Sequence, residues 1–143
     1  MKVNVKLVQG GIAPAYKRDG DADLDCYARI DGGGMTVVPS GARAYIPLGF
    51  MIEIPYGYKG IICPRSGNTG AGIDIGMGTI DPSFRGEVKA CVINNSSNPF
   101  IIDDGDRICQ LSIEEAIHIE IEEADELSRT ARGEAGFGSS GIK

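Results

Sequence analysis

The sequence predicts an all-β domain, and three observations carry that expectation. Short apolar or alternating runs recur along the chain, clusters of Gly, Pro, Asn and Asp separate them, and no stretch sustains a helical period. The first run is VNVKLV (3–8), closed by the glycine pair that follows. ARAYIPLGF (42–50) and MIEIP (51–55) come next, ended by PYGY (55–58), and YKGIIC (58–63) runs up to a proline. EVKACVIN (87–94) stops at NNSSNP, PFIID (99–103) at DDGD, and RICQLSIE (107–114) is followed by the alternating IHIEIEE (117–123). Such spacing suits a sandwich, barrel or jelly roll. The best helical candidate is a single turn near residues 66–72. The Glu-rich segment 121–129 suits an acidic loop as well as a helix.

The 143 residues, 42% of them hydrophobic, suit one domain with a core able to fold without disulfides. No apolar run approaches the roughly 20 residues that cross a bilayer, and the amino terminus lacks a signal-peptide block, so a soluble, cytoplasmic protein with no membrane partner is expected. A net charge of −6 argues against a nucleic-acid partner, which would need clustered Lys and Arg. An anionic ligand must therefore meet a local site. Cys26, Cys63, Cys91 and Cys109 form no CxxC pair, and three lie in apolar runs, where a thiol acts as a small hydrophobe. His118 is the only histidine and lies in an alternating stretch, so Ser/His and Cys/His nucleophilic mechanisms lack a base.

Three segments have the composition of chemistry. Pro64-Arg65-Ser66-Gly67 follows a strand and precedes a turn, so that amides, a hydroxyl and a guanidinium could converge on phosphate oxygens; four such residues alone also suit a plain connecting turn. Gly78 to Gly86 places Asp81 after a short apolar hairpin, held by Pro82. Its carboxylate, ionised at neutral pH, suits a general base that activates water, although Asp74 is a rival and an Asp capping a turn has the same pattern. The tail Arg132 to Gly141 surrounds Phe137 with one arginine, two hydroxyls and glycines. It lacks the Gly-Lys-Ser/Thr ending of a P-loop and by itself suits a solvated tail.

Taken in order, these segments resemble the motifs of the trimeric dUTPase family. Ala22 to Ala28 resembles the first motif, Pro64 to Gly67 the second, Gly78 to Gly86 the third, Gly105 to Leu111 the fourth and Arg132 to Gly141 the fifth, spanning residues 21–141. The resemblance implies a distorted jelly-roll β-barrel over residues 1–131, a mobile glycine-rich arm over residues 132–143, and a homotrimer that exchanges those arms. It implies hydrolysis of dUTP to dUMP and pyrophosphate by water attack on the α-phosphate, which limits uracil in DNA and supplies dUMP for dTTP synthesis.

The same resemblance assigns roles. Asp81 becomes the base, while Asp74 falls in the uracil hairpin. Backbone groups of Gly78, Thr79 and Ile80 meet the uracil edge, Phe84 lies under the deoxyribose, and Lys89 contacts substrate. Arg65, Ser66 and Gly67 hold the triphosphate, Gln110 reaches it from a neighbouring chain, and Arg132 holds the terminal phosphate. Phe137 stacks on uracil, with Gly138 and Ser139 beside it. Mg2+ sits on the phosphates, and Asp25 touches it through water only. The chain departs from the family pattern at Asp23, where glycine is usual, at Phe84, where tyrosine is common, and in the short segment 68–71. A dCTP deaminase is the nearest enzyme rival and lacks such an arm; a non-catalytic jelly roll of the same shape is the rival from another class.

Overall fold

The computed structural model describes residues 1–136. They form β1 (Asn4–Leu7), β2 (Leu24–Tyr27), β3 (Met35–Val38), β4 (Arg43–Pro47), β5 (Phe50–Glu53) and β6 (Tyr58–Pro64), then one short helix, α1 (Ser66–Gly70). After it come β7 (Ile73–Gly76), β8 (Gly78–Ile80), β9 (Lys89–Asn94), β10 (Phe100–Asp103) and β11 (Arg107–Glu115). The all-β expectation holds, as does the single helical turn. No helix among the described residues is long and apolar enough to cross a membrane.

All ladders between these strands are antiparallel, in four sheets ordered β2-β11-β6-β8, β4-β9-β7, β1-β5 and β10-β3. The expected barrel is corrected in one respect: the sheets do not close, because β2 and β8 remain the outer strands of the largest one. Closure would require ladder partners on those outer edges. Instead the four sheets cover one shared core. Phe50 and Ile52 come from the β1-β5 sheet, Val38 and Ile102 from β10-β3, Ile62 and Leu111 from the largest sheet, and Ile46 and Val92 from the remaining one. Each such side chain contributes about 1.5–3 kcal/mol by leaving water.

Alternation along β9 decides what faces the site. Ala90, Val92 and Asn94 point inward, and Lys89 points out. Asn94 is fully buried yet satisfied: its Nδ2 donates to the Val38 carbonyl at 2.9 Å and the Asn98 carbonyl at 2.8 Å, and its Oδ1 accepts from the Ser96 N–H at 2.9 Å. That network joins β9 to the end of β3 and to the 95–98 turn.

Two expected elements are overturned. The segment 73–80 is not a hairpin, because β7 pairs with β9 while β8 pairs with β6, so the chain changes sheets at Met77. The alternating run at 117–123 is not a strand in this chain. The ladder of β11 ends at Glu115 opposite Tyr58, a last bond joins the Ala116 N–H to the Gly57 carbonyl at 2.8 Å, and no strand follows among the described residues. Its isoleucines therefore stay exposed, at 86% for Ile117, 74% for Ile119 and 80% for Ile121. The acidic segment 121–129 is non-helical, as a loop would be. Cys26 and Cys109 are buried and Cys63 and Cys91 half-buried, all as free thiols.

Candidate active site

Two cavities collect most of the candidate residues. The first, of about 570 Å³, is lined by Gly78, Thr79, Ile80, Asp81, Phe84 and Lys89, with Tyr45, Ile62 and residues 86–88 completing it. β8 is an edge strand, bonded to β6 alone, so its second backbone edge has N–H and C=O groups without a ladder partner. Gly60 lets β8 lie close: it faces Ile80 in register, and a Cβ there would fall 2.8 Å from Ile54 Cδ1 and 3.2 Å from Ile80 Cβ.

Beyond β8 the chain turns with Asp81 first and Pro82 second, and the Phe84 N–H donates to the Asp81 carbonyl at 3.0 Å. Arg85 pins this turn through Nη1 to the Pro82 carbonyl at 2.6 Å and the Phe84 carbonyl at 2.8 Å, while its Nη2 pairs with Glu53 at 3.1 Å. The Phe84 ring lies against Gly86, where a Cβ would come within 2.7 Å of its Cζ. Asp81 is left exposed, outside every ion pair among the described residues. Glu87 at the back is a structural group, accepting from Arg29 Nε at 2.7 Å, from Arg29 Nη2 at 3.1 Å and from the Gly49 N–H at 3.1 Å. Those contacts, with the pairing to Asp31, raise the Arg29 pKa above its ordinary value.

The second cavity, of about 410 Å³, is polar and centres on Asp25. Arg65 Nε donates to Asp25 Oδ1 at 3.2 Å, Gln110 Nε2 donates to the same oxygen at 3.3 Å, and Arg107 Nη1 donates to Oδ2 at 2.9 Å. Arg107 and Gln110 are three residues apart, so a regular strand would send them to opposite faces. A bulge between Arg107 and Cys109, where β11 passes β2, brings both onto Asp25. Arg65 Nη1 also donates to the Arg107 carbonyl at 3.1 Å, and Asn68 Nδ2 to the Ile108 carbonyl at 3.1 Å, which ties the start of α1 to that bulge.

Burial alone would raise the Asp25 pKa, but the two arginines outweigh it and hold the carboxyl below its ordinary value of 3.8. A depressed carboxyl stabilises the fold above its ordinary pKa, and that contribution is lost as the pH falls through the folded value. Asp25→Asn is therefore expected to flatten the acid limb of the stability curve below about pH 4, measured by urea melts across that range. An unchanged acid limb would mean that the pair contributes nothing to folding.

A family model described as dUTPase matches residues 10–141. The chain belongs to the dUTPase family. A deoxyuridine 5'-triphosphate nucleotidohydrolase of Rhizobium rhizogenes is 42% identical over 132 residues, covering 90% of this chain and 85% of its own. The Rhizobium etli enzyme of the same name is 40% identical with the same coverage. The solved Staphylococcus bacteriophage 80alpha dUTPase with dUPNHPP matches with a TM-score of 0.89 at 26% identity, over 99% of both chains. This chain is thus an enzyme of the dUTPase class, with that family's all-β fold.

Of the residues expected at a dUTPase site, the structure brings Gly78, Thr79, Ile80, Asp81, Phe84 and Lys89 to one cavity and Asp25, Arg65 and Gln110 to the other. Ser66 and Gly67 are exposed in α1 and line neither. Gln110 was expected to reach the triphosphate from a neighbouring chain; within one chain it and Arg65 both donate to Asp25, because β11 pairs with β2 and β6. Asp74 lies on β7 and accepts from the Ile75 N–H at 2.8 Å, away from both cavities. Arg132 is exposed in a turn with Nε on the Ala135 carbonyl at 2.7 Å and also lines neither cavity. Phe137, Gly138 and Ser139 lie outside the described residues. Arg107, Tyr45, Lys17 and Arg18 line the cavities without having been singled out from the sequence. Arg107 had a usable signal, since it sits three residues before Gln110 in the fourth motif.

Proposed function

We propose that the chain hydrolyses dUTP to dUMP and pyrophosphate by attack of water on the α-phosphate, with Asp81 as general base. The observation that carries this reading is the free backbone edge of β8 in one cavity with the exposed Asp81 carboxylate. A strand edge offers donors and acceptors at fixed spacing, which suits the polar edge of uracil. A mismatched base leaves those groups unpaired. The Phe84 ring, held over Gly86, supplies a flat apolar floor for a sugar without a 2′-hydroxyl. Lys89 points into the same space.

The triphosphate belongs to the second cavity, where Arg65, Arg107 and Gln110 converge. Positioning and charge neutralisation are most of what phosphoryl transfer requires. Among the described residues no three His, Cys, Asp or Glu side chains cluster to hold a metal directly. Asp25 Oδ1 already accepts two hydrogen bonds and Oδ2 one, which leaves acceptor room for water rather than for an ion. These residues fit a magnesium ion carried on the phosphates, with Asp25 and Asp23 as acceptors for its waters; when bound, it offsets phosphate charge.

The two cavities share no lining residue, so one chain does not gather the base pocket and the phosphate pocket into one space. That separation supports a homotrimer in which each site takes one pocket from each of two chains, and the exposed alternating isoleucines at 117–121 support an arm that docks on a neighbour. In the cell the reaction would limit uracil in DNA and supply dUMP for dTTP synthesis.

Pyrophosphate release with dUTP, dCTP, dTTP and UTP under magnesium tests the reading. Turnover of dUTP is expected to exceed the others by about 10²-fold or more in kcat/KM, as a hydrogen-bonding pocket allows. Equal use of dCTP would overturn the assignment of the β8 edge to uracil.

A further inference from the structure

The phosphate cavity has a second cationic wall that the family motifs do not account for. Besides Arg65 and Arg107 it is lined by Lys17 and Arg18, from a turn that precedes the first motif. The turn is built to stay in place. The Ala15 N–H donates to the Asp25 carbonyl at 3.2 Å, and the Asp25 N–H returns a bond to the Ala15 carbonyl at 2.9 Å, so the chain enters the turn fastened to the central residue of the cavity. Asp21 then closes it: its Oδ2 accepts from the Lys17 N–H at 3.1 Å and the Arg18 N–H at 2.8 Å.

Charge accounting shows what the wall faces. Four cations and three carboxylates line it: Arg65 and Arg107 share the Asp25 carboxylate, Asp21 accepts from backbone amides, and Asp23 accepts from the Cys63 thiol at 3.8 Å, in no ion pair among the described residues. Neither the Lys17 ammonium nor the Arg18 guanidinium makes an ion pair among the described residues, and both are exposed. A protein with a net charge of −6 thus places four cationic side chains around one polar cavity and leaves two of them uncommitted. Uncommitted cations in one cavity with a guanidinium pair fit an anion too long and too highly charged for that pair alone.

We propose that the Lys17–Arg18 turn is a second polyphosphate clamp, which grips the β- and γ-phosphates of the substrate and the pyrophosphate product and so sets the preference for a triphosphate over a monophosphate. This rests on the dUTP reading for the identity of the substrate but not for the binding of polyphosphate. Lys17 and Arg18 act on binding, and the reacting phosphorus is served by the other wall.

The test compares the wild-type protein with a Lys17→Ala/Arg18→Ala variant and with Lys17→Gln/Arg18→Gln, which keeps more of the stems. Calorimetry with inorganic tripolyphosphate and magnesium, with no turnover involved, is expected to show affinity lower by roughly tenfold in both variants, with a shallower salt dependence. KM for dUTP should rise by a similar factor while kcat stays within about threefold, the pattern of lost uniform binding. Affinity for dUMP should be unchanged. Unaltered tripolyphosphate affinity, or an equal loss for dUMP, would overturn the clamp. A wild-type protein that binds tripolyphosphate through these residues yet releases no pyrophosphate from dUTP would support the clamp and sink the activity reading instead.

Discussion

Replacing Asp81 by asparagine is expected to lower dUTP turnover by roughly 10²-fold or more while nucleotide binding persists. Asparagine keeps the shape of the side chain but cannot take a proton from water. The turn itself should survive, because it is held by the Asp81 backbone carbonyl, by Pro82 and by Arg85, none of which depends on the carboxylate. Stability should likewise be unchanged, since the carboxylate is exposed and outside every ion pair among the described residues. Steady-state kinetics and binding of a non-hydrolysable dUTP analogue separate the two effects: kcat should fall and the analogue's Kd should hold. A variant with normal kcat would remove Asp81 from the chemistry and return attention to the other carboxylates.

What the sequence shows of this protein divides along physical lines. Long β runs such as 58–63 and 107–114 are legible because alternation and turn residues agree, and the structure has strands there. β2, β3, β7 and β8 are harder: each spans four residues or fewer and, unlike the equally short β1, β5 and β10, does not lie within one of the marked apolar or alternating runs. The supposed hairpin at 73–80 looks like one locally, but pairing is decided by β6 and β9, which lie far away in sequence. Residues 117–123 show the opposite failure. Their alternation is a true strand pattern, yet among the described residues no strand pairs with it.

The site follows the same division. Asp81, Phe84 and Lys89 fall within one continuous stretch, so motif and geometry coincide. Strand alternation would send Arg107 and Gln110 to opposite faces, so only their shared place in the fourth motif links them in the sequence, and the bulge is what joins them in space. Tyr45 reaches the first cavity because it faces Cys91 across the β4-β9 ladder, on the same outer side as Lys89. Cross-strand register of that kind has no local signature. Lys17 and Arg18 lie eight and seven residues before Asp25 and meet it only because the Ala15 bridge folds the intervening turn back.

Mixing two inactive variants is expected to recover activity, which tests whether a site is shared between chains. Asp81→Asn disables the base pocket and leaves the phosphate pocket intact; Arg65→Gln does the reverse, removing a guanidinium from Asp25 while Arg107 and Gln110 remain to hold that carboxylate. Each variant alone should turn over dUTP poorly. If a site combines the base pocket of one chain with the phosphate pocket of another, random reassembly of equal amounts leaves half the base pockets and half the phosphate pockets sound, so about a quarter of the sites should be whole. Unfolding the variants together and refolding them should therefore restore about a quarter of wild-type turnover, whereas adding the folded proteins without exchange should restore none. Light scattering of the mixture should report three chain masses of 15.1 kDa. If instead each chain carries a complete site, every site retains one lesion whatever the mixing, and no recovery can occur. A trimer that shows no recovery would therefore place Asp81 and Arg65 of the same chain at one substrate, despite the two cavities having no residue in common.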